Sequence, residues 1–211
     1  MKCPEKLAKT YPHPANLGFC QFTGCKVTSP PEWRVIEEAY AVGVGLMDNR
    51  IIFSLPWGRG SESGMIEYIK IMHEIFDRYR GKDRHFVIVD DFALYNGISQ
   101  KARKVYIEGL KKRPEIAGLV CYNLSPDFRF NLGSGRRLHI VPYPIEFRRT
   151  YEESIICASK ILGVPVGRVE PTDSPSVDPE PKTASHPEDY PLLGSYAVET
   201  MKVDYRGIAP D

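Results

Sequence analysis

The segment Phe86-Val87-Ile88-Val89-Asp90-Asp91 constrains the fold of this chain more than any other part of its sequence. Its first four residues are apolar, and three of them are β-branched, which predicts a strand. The apolar run is continuous instead of alternating, which indicates that both faces of the strand are covered. Such a strand is typical of the centre of an α/β sheet. We therefore expect Asp90 and Asp91 to lie where a central strand ends.

Strand and helix patterns alternate on both sides of this strand. Two apolar segments, 39–47 and 51–55, flank the turn residues Asp48-Asn49-Arg50 and predict an antiparallel hairpin. A helix is predicted over 63–80, where apolar residues recur at helical spacing: Met65, Ile69, Met72, Phe76 and Tyr79. Further elements are predicted as a helix at 99–112, a strand at 116–122, a helical segment at 125–132, a strand at 145–147 and a helix at 151–162. The predicted fold class is α/β, with a mixed, mostly parallel central sheet, an N-terminal antiparallel hairpin and helices on the faces.

Prolines divide the chain into four parts. Residues 1–32 have no sustained periodicity and are predicted to form an irregular leader, which precedes the α/β domain at 33–163. Residues 164–191 are rich in proline and are predicted to be an extended linker. Residues 192–211 form a tail.

The tail resembles the beginning of the domain. Residues 187–211 match residues 31–55 at eight of 25 ungapped positions: Pro31/Pro187, Glu32/Glu188, Tyr40/Tyr196, Ala41/Ala197, Val42/Val198, Asp48/Asp204, Arg50/Arg206 and Ile52/Ile208. Two interpretations stay open. The match is either chance similarity of strand-forming segments, or the start of a second copy of the hairpin in a longer multidomain protein.

Composition excludes several classes of protein. The 28 Lys and Arg residues nearly balance 27 Asp and Glu residues, so the net charge gives no reason to expect a nucleic-acid partner. A run of about 18 apolar residues, as a transmembrane helix requires, does not occur. The N-terminus lacks the apolar stretch of a secretory signal, so we expect a cytoplasmic protein whose five cysteines are free thiols.

The loop that follows the central strand is the best-defined candidate site. Asp91 is positioned to accept backbone N–H groups of this loop, and Ser99 lies where a helix N-cap belongs. That structural role is one interpretation. The other is partner docking or phosphorylation, since a phosphate on Ser99 would lie at a helix N-terminus. The candidate residues are Asp90, Asp91, Asn96, Ser99 and Arg103.

Other chemistry has less support in the sequence. Asp90 and Asp91 could hold a cation, but the acidic and lysine partners that receiver domains use are missing. Zinc ligands could come from Cys3, Cys20, Cys25 and His13, although no second C-x-x-C pair occurs. The helix at 99–112 is strongly basic, which indicates either a solvated face or an acidic partner. No complete nucleotide-binding or hydrolase motif is present, so we predict no cofactor, no metal site and no catalytic residue.

The stretch from Phe86 to Leu162 resembles the STAS/SpoIIAA-like superfamily. More specifically, it resembles the STAS-like input regions that precede PAS and histidine-kinase modules in bacterial sensor proteins. The resemblance is carried by four short segments: Asp91-Phe92-Ala93-Leu94, Gly97-Ile98-Ser99 with Ala102-Arg103-Lys104, Tyr122-Asn123-Leu124-Ser125-Pro126-Asp127-Phe128, and Thr150-Tyr151-Glu152-Glu153-Ser154. In the anti-sigma-factor antagonists of this superfamily, a kinase phosphorylates a serine at a helix start, and Ser99 occupies a similar place. This chain reads Gly-Ile-Ser-Gln where that family has Asp-Ser-Ser-Gly.

The resemblance implies a non-enzymatic regulatory or sensory module of bacterial signal transduction. Its partner would be a kinase or another signalling domain, in the same longer chain or in another protein, and a homodimer is compatible with it. Two alternatives stay open. The first is a lipid or small-molecule carrier with an apolar cavity lined by Met65, Met72, Phe76 and Phe128. The second is a metal-dependent enzyme that uses Asp90 and Asp91.

Overall fold

The computed structural model describes residues 11–79, 81, 85–126, 128–130 and 141–165. In chain order, its helices and strands are α1 (Pro14–Leu17), β1 (Val27–Thr28), β2 (Arg34–Ile36), β3 (Tyr40–Met47), β4 (Ile51–Gly60), α2 (Glu62–Tyr79), β5 (Phe86–Asp91), β6 (Leu94–Ile98), α3 (Gln100–Lys111), β7 (Ile116–Tyr122), β8 (Ile145–Phe147) and α4 (Tyr151–Leu162). The predicted proline-rich linker from residue 166 onward and the tail with its partial repeat lie outside the described residues.

These strands form one mixed sheet. Its main order is β1-β3-β4-β5-β7-β8, while β2 also pairs with β3 and β6 also pairs with β4. Strands β4, β5, β7 and β8 are parallel, and β3 pairs antiparallel with β4. The predicted fold class is therefore confirmed, including the N-terminal hairpin.

The hairpin turn follows directly from its sequence. Asp48 and Asn49 both have positive φ angles, 52° and 54°, which Asp and Asn tolerate better than most residues. The Arg50 N–H donates to the Met47 carbonyl oxygen at 3.0 Å and closes the turn. Met47 then pairs with Ile51, and this register continues along β3 and β4.

Strand β5 supplies side chains to two separate core layers, because successive residues of a strand point to opposite faces. Phe86 and Ile88 belong to the layer between the sheet and helices α2 and α3. Val87 and Val89 belong to the layer on the other face, where helix α4 packs. All four side chains are fully buried, as the continuous apolar pattern predicts.

The region expected to be an irregular leader carries regular structure within residues 11–28. Helix α1 begins after His13, whose Nδ1 accepts a hydrogen bond from the Ala15 N–H at 3.2 Å. Strand β1 pairs antiparallel with the end of β3. Cys20 and Cys25 are buried in the layer with α4. Tertiary burial orders this segment, although its sequence shows no periodic pattern.

Strand β6 lies where the sequence predicts a loop. It pairs in parallel with the last four residues of β4, from Trp57 to Gly60. Pairing of β4 with β5 ends at Ser54, so the rest of this long strand has a free edge that β6 fills. Gly97 adopts a φ angle of 132°, a conformation that suits glycine.

The helices predicted at 63–80, 99–112 and 151–162 are confirmed within one residue at each end, whereas the helical segment predicted at 125–132 lies partly outside the described residues. Ser99 caps α3 by accepting a hydrogen bond from the Ala102 N–H at 3.2 Å, and Thr150 caps α4 in the same way. Within the described part of the chain, no helix combines the length and the apolar character needed to cross a membrane.

Candidate functional site

The two carboxylates that end β5 point to opposite faces of the sheet. Asp90 is on the side of α2 and α3, where Tyr106 of α3 donates to it. Asp91 is on the side of the other core layer, where Tyr122 donates to it. A cation shared by two carboxylates requires that both converge on it. Because successive side chains of β5 point to opposite faces, the structure contradicts the hypothesis that Asp90 and Asp91 together hold a metal ion.

The Asp90 carboxylate raises the pKa of tyrosines from five different parts of the chain, and one of them, Tyr106, contacts it. The Ser54 hydroxyl of β4 donates to Asp90 Oδ1, and the Tyr106 hydroxyl donates to Oδ2 at 3.2 Å. Each of the five tyrosines interacts electrostatically with the Asp90 carboxylate. We call this group the tyrosine cluster; it consists of Asp90, Ser54, Tyr40, Tyr68, Tyr95, Tyr106 and Tyr143.

The tyrosine cluster is buried at its base and reaches solvent at one side. Asp90 is 3% exposed, Tyr40 1% and Tyr68 2%, whereas Tyr95 and Tyr106 are partly exposed. Two glycines make room for the rings. A Cβ atom on Gly64 would lie 2.4 Å from Tyr40 Cδ1, and one on Gly60 would lie 2.8 Å from the Tyr95 hydroxyl.

Burial controls the protonation of this group. It raises the pKa of Asp90 from 3.8 to about 6, against the opposing effect of the hydrogen bonds from Ser54 and Tyr106. The nearby Asp91 carboxylate adds a smaller upward effect. Burial also raises the pKa of each of the five tyrosines, so their phenols stay neutral near pH 7.

Two hydroxyls of the tyrosine cluster have no hydrogen-bond partner among the described residues. They belong to Tyr68 and Tyr143, and both are buried. Ser54 lies close enough to Tyr68 to lower its pKa through a hydrogen bond, although the two hydroxyls do not meet in standard hydrogen-bond geometry. A buried hydroxyl without a partner costs about 1–3 kcal/mol.

Asp91 has the structural role expected from the sequence. It accepts hydrogen bonds from the Ala93 N–H at 3.0 Å and from Asn123 Nδ2 at 2.8 Å, and Tyr122 and Tyr11 also donate to it. Burial raises its pKa, and these four donors oppose the rise. Asp91 thus joins the ends of β5 and β7 to the loop between β5 and β6.

The proposed zinc ligands do not assemble among the described residues. His13 is fully buried, which lowers its pKa to about 3, and its Nδ1 is used in capping α1. Cys20 accepts a hydrogen bond from the Tyr151 hydroxyl at 2.9 Å, and Cys25 is buried and forms no disulfide. Across the described ranges, no group of three or more His, Cys, Asp or Glu residues could hold a metal ion. Cys3 lies outside those ranges.

Three rings form a partly exposed patch at the carboxyl end of the parallel strands. Phe92 follows β5, Tyr95 lies in β6 and Phe128 comes after β7, and their ring centroids are 5.4–5.5 Å apart in each pair. All three side chains are partly exposed. We call these three residues the aromatic surface. The candidate residues Asn96 and Arg103 are exposed and Ser99 is half-buried, whereas Asp90 and Asp91 are too buried for direct contact with a protein partner.

The four side chains proposed to line an apolar cavity do not share one location. Met65, Met72 and Phe76 are packed within the core layer under α2. Phe76 contacts Phe86, whereas Phe128 belongs to the aromatic surface. The arrangement therefore gives the carrier hypothesis no support.

Sequence reasoning found Asp90 but missed the tyrosines around it. They occupy positions from 40 to 143, so no local motif contains them, and Tyr68 and Tyr106 read as ordinary helix residues. The predicted fold could have identified one neighbour of Asp90, because it places Ser54 on a strand of the same sheet as β5.

Comparisons with known proteins leave the family of the chain open. No family model matches the sequence, and no curated protein matches it. Among solved structures, it is similar to an uncharacterized protein of the DUF3478 family with a SpoIIAA-like fold from Shewanella loihica PV-4. That similarity has 11% identity and a TM-score of 0.46, and covers 59% of this chain and 97% of the other.

Proposed function

We propose that this chain is a non-enzymatic regulatory or sensory module of bacterial signal transduction that docks a protein partner in the cytoplasm. The observation that carries the proposal is the aromatic surface, which remains partly exposed at the end of buried strands. Aromatic side chains and arginine supply much of the binding free energy in protein interfaces. A patch that rigid strands support also loses little conformational freedom on binding.

The charge beside the aromatic surface favours an acidic partner. Helix α3 begins there, and its first turns expose Lys101, Arg103 and Lys104. Lys101 lies 3.8 Å from a Glu62 oxygen and Lys104 lies 3.9 Å from a Glu108 oxygen. These ion pairs are exposed and contribute little to the stability of the fold. A carboxylate of the partner can therefore compete for both lysines. The partner we propose is an acidic face of a kinase or another signalling domain.

A second copy of this chain fits the same surface less well. A two-fold symmetric contact would place the same patch against itself and bring these cations together. Phosphorylation of Ser99 is a separate part of the proposal. It would add negative charge at the N-terminus of α3, next to Arg103, and would thereby weaken the attraction for an acidic partner.

The test is a capture experiment with paired variants of the full chain. Phe128→Ala removes one ring of the aromatic surface, and Arg103→Glu reverses the charge beside it. Their controls are Phe22→Ala, an exposed phenylalanine near the start of β1, and Lys111→Glu, in the last turn of α3. Proteins captured from the source organism are identified, purified and titrated against each variant by calorimetry.

The proposal predicts a signalling protein whose affinity falls at least about tenfold for Phe128→Ala and Arg103→Glu. Both controls should bind like the unmodified chain. An equal loss of affinity in the test and control variants would contradict the assignment of the aromatic surface as the docking site. Absence of any partner, together with turnover of a metabolite by the purified chain, would contradict the function itself.

A further inference from the structure

Strand β2 lies at the edge of the sheet, and its outer side pairs with no strand among the described residues. On its inner side it pairs with β3, and just beyond β2 the Glu37 N–H donates to the Tyr40 carbonyl oxygen at 2.7 Å. Hydrogen-bonded positions alternate along an antiparallel strand. The N–H and carbonyl groups of Arg34 and Ile36 therefore point away from β3, where another strand can pair with them.

Helix α2 lies beside this free edge, and together they form a groove. The groove is open, has a volume of about 480 Å³ and is lined by β2 with its flanking residues and by the middle of α2. Val35 and Ile71 give it apolar surface, and Ile36 at its rim is 52% exposed. An extended peptide that adds to a sheet edge gains main-chain hydrogen bonds, while pockets for its alternate side chains give specificity. Both features are present here.

The charged side chains that line the groove favour a basic peptide. They are four glutamates and two cations: Glu32, Glu37, Glu67, Glu74, Arg34 and Lys70. Both cations are already engaged, since Lys70 lies 2.7 Å from a Glu67 oxygen and the Arg34 guanidinium donates to the Ala15 carbonyl oxygen at 3.2 Å. The lining thus has more negative than positive charge, and it attracts the lysine or arginine side chains of a peptide.

A second copy of this chain is a poor occupant of the same edge. Two-fold antiparallel pairing of β2 that sets Arg34 opposite Ile36 would place Glu32 of each copy opposite Glu38 of the other. Like charges directly opposite each other destabilise strand pairing. We propose that the groove between β2 and α2 binds an extended basic segment of another protein, which adds to the sheet as a further strand beside β2.

This groove shares no residue with the aromatic surface, and the two surfaces favour partners of opposite charge. The proposal therefore adds a second docking site and does not depend on the first. Phe128→Ala should leave peptide binding at the groove unchanged. Failure of one surface can thus be distinguished from failure of the other.

The experiment uses the ¹⁵N-labelled full chain and two synthetic peptides with blocked ends as probes. The test peptide alternates lysine with valine, and the control peptide has glutamate in place of each lysine. Affinity is measured by NMR titration at low ionic strength. Hydrogen exchange of the Arg34, Val35 and Ile36 amides is measured with and without the test peptide.

Paired variants of the chain separate the backbone contribution from the charge. Ile36→Pro removes an N–H that β3 does not use, whereas Ile36→Thr keeps it. Glu32→Lys reverses a charge of the groove, and Glu108→Lys makes the same change at an exposed position of α3 outside the groove. Near-ultraviolet circular dichroism checks that each variant is folded.

The proposal predicts saturable binding of the test peptide and slower exchange of the Arg34 and Ile36 amides, with little change at Val35, whose N–H already faces β3. Ile36→Pro should weaken binding by about tenfold because a peptide carbonyl loses its donor, whereas Ile36→Thr should weaken it less. The glutamate peptide should bind at least about tenfold more weakly. Glu32→Lys should weaken binding several-fold, and Glu108→Lys should bind like the unmodified chain.

Several results would overturn the proposal. One is the absence of saturable binding, and another is binding without slower exchange of the Arg34 and Ile36 amides, which would indicate electrostatic attraction without strand addition. Equal affinity of the unmodified chain and folded Ile36→Pro would contradict it too. Equal affinity of the unmodified chain and Glu32→Lys would do the same, and this comparison remains informative if Ile36→Pro does not fold. A dimer of the chain that Ile36→Pro abolishes would assign the edge to a second copy instead.

Discussion

Replacing Asp90 with asparagine should change how the stability of the chain depends on pH. Folding raises the pKa of Asp90 from 3.8 to about 6, so the folded state holds this proton more tightly than the unfolded state. The resulting stabilisation is complete below pH 3.8 and is lost as the pH rises through 6. At pH 7.5, ionisation of the buried carboxylate therefore costs about 3 kcal/mol relative to its protonated form.

Asparagine has nearly the same shape as aspartate but does not ionise. The stability of Asp90→Asn relative to the unmodified chain should thus increase by about 2–3 kcal/mol between pH 4 and pH 7.5. Urea unfolding at a series of pH values measures this difference through the fluorescence of Trp33, which is fully buried. Asp91 also has a raised pKa, but it is present in both proteins, so its contribution cancels except for its small coupling to Asp90. A difference that stays constant from pH 4 to pH 7.5 would refute the reasoning.

The Ser54 hydroxyl provides an independent check on the same residue. It donates to Asp90 and so favours the ionised carboxylate. Ser54→Ala should therefore move the pH at which stability is lost to a higher value. A midpoint that moves downward in the same urea series would contradict this role.

Three further variants test the packing and capping described above by urea unfolding. Gly64→Ala should cost about 1–3 kcal/mol, because its Cβ would collide with the ring of Tyr40, and an unchanged midpoint would contradict that contact. Ser99→Ala should cost about 1 kcal/mol through loss of the bond from the Ala102 N–H, and Ser99→Asp should restore most of it. Ile88→Ala should cost about 2–5 kcal/mol because Ile88 is fully buried in β5, and a cost below 1 kcal/mol would argue against a tightly packed central strand.

The parts of the fold with strong local patterns could be predicted from the sequence. The continuous apolar run of β5 identified a central strand, since apolar residues on both faces require cover on both faces. The Asp48-Asn49 turn identified the hairpin because these residues tolerate positive φ angles. Helix caps at Ser99 and Thr150 depend on one side chain and one nearby N–H group, so they too are local.

The parts that depend on distant contacts could not be predicted in this way. Strand β6 has an Asn96-Gly97 pair that normally marks a loop, and it forms because β4 extends past β5 and leaves a free edge. Helix α1 and strand β1 are ordered by burial against β3 and β4 instead of by their own periodicity. The sequence shows no sign of either arrangement.

The two carboxylates of the candidate site were predicted from the sequence, whereas the tyrosines near Asp90 were not. The sequence identified Asp90 and Asp91 as the end of a central strand and assigned Asp91 its structural role. It treated the two carboxylates as a pair, whereas the period of two along a strand separates them onto opposite faces. The tyrosine cluster could be recognised only when distant elements were brought together around Asp90.

The central claim is that this chain acts by binding at the carboxyl end of its sheet. The most direct measurement is NMR mapping of the identified protein partner onto the ¹⁵N- and ¹³C-labelled full chain. The account predicts that shift changes concentrate on Phe92, Tyr95, Phe128 and Arg103. Changes confined to α4 and the residues around Cys157, with the aromatic surface unaffected, would contradict it.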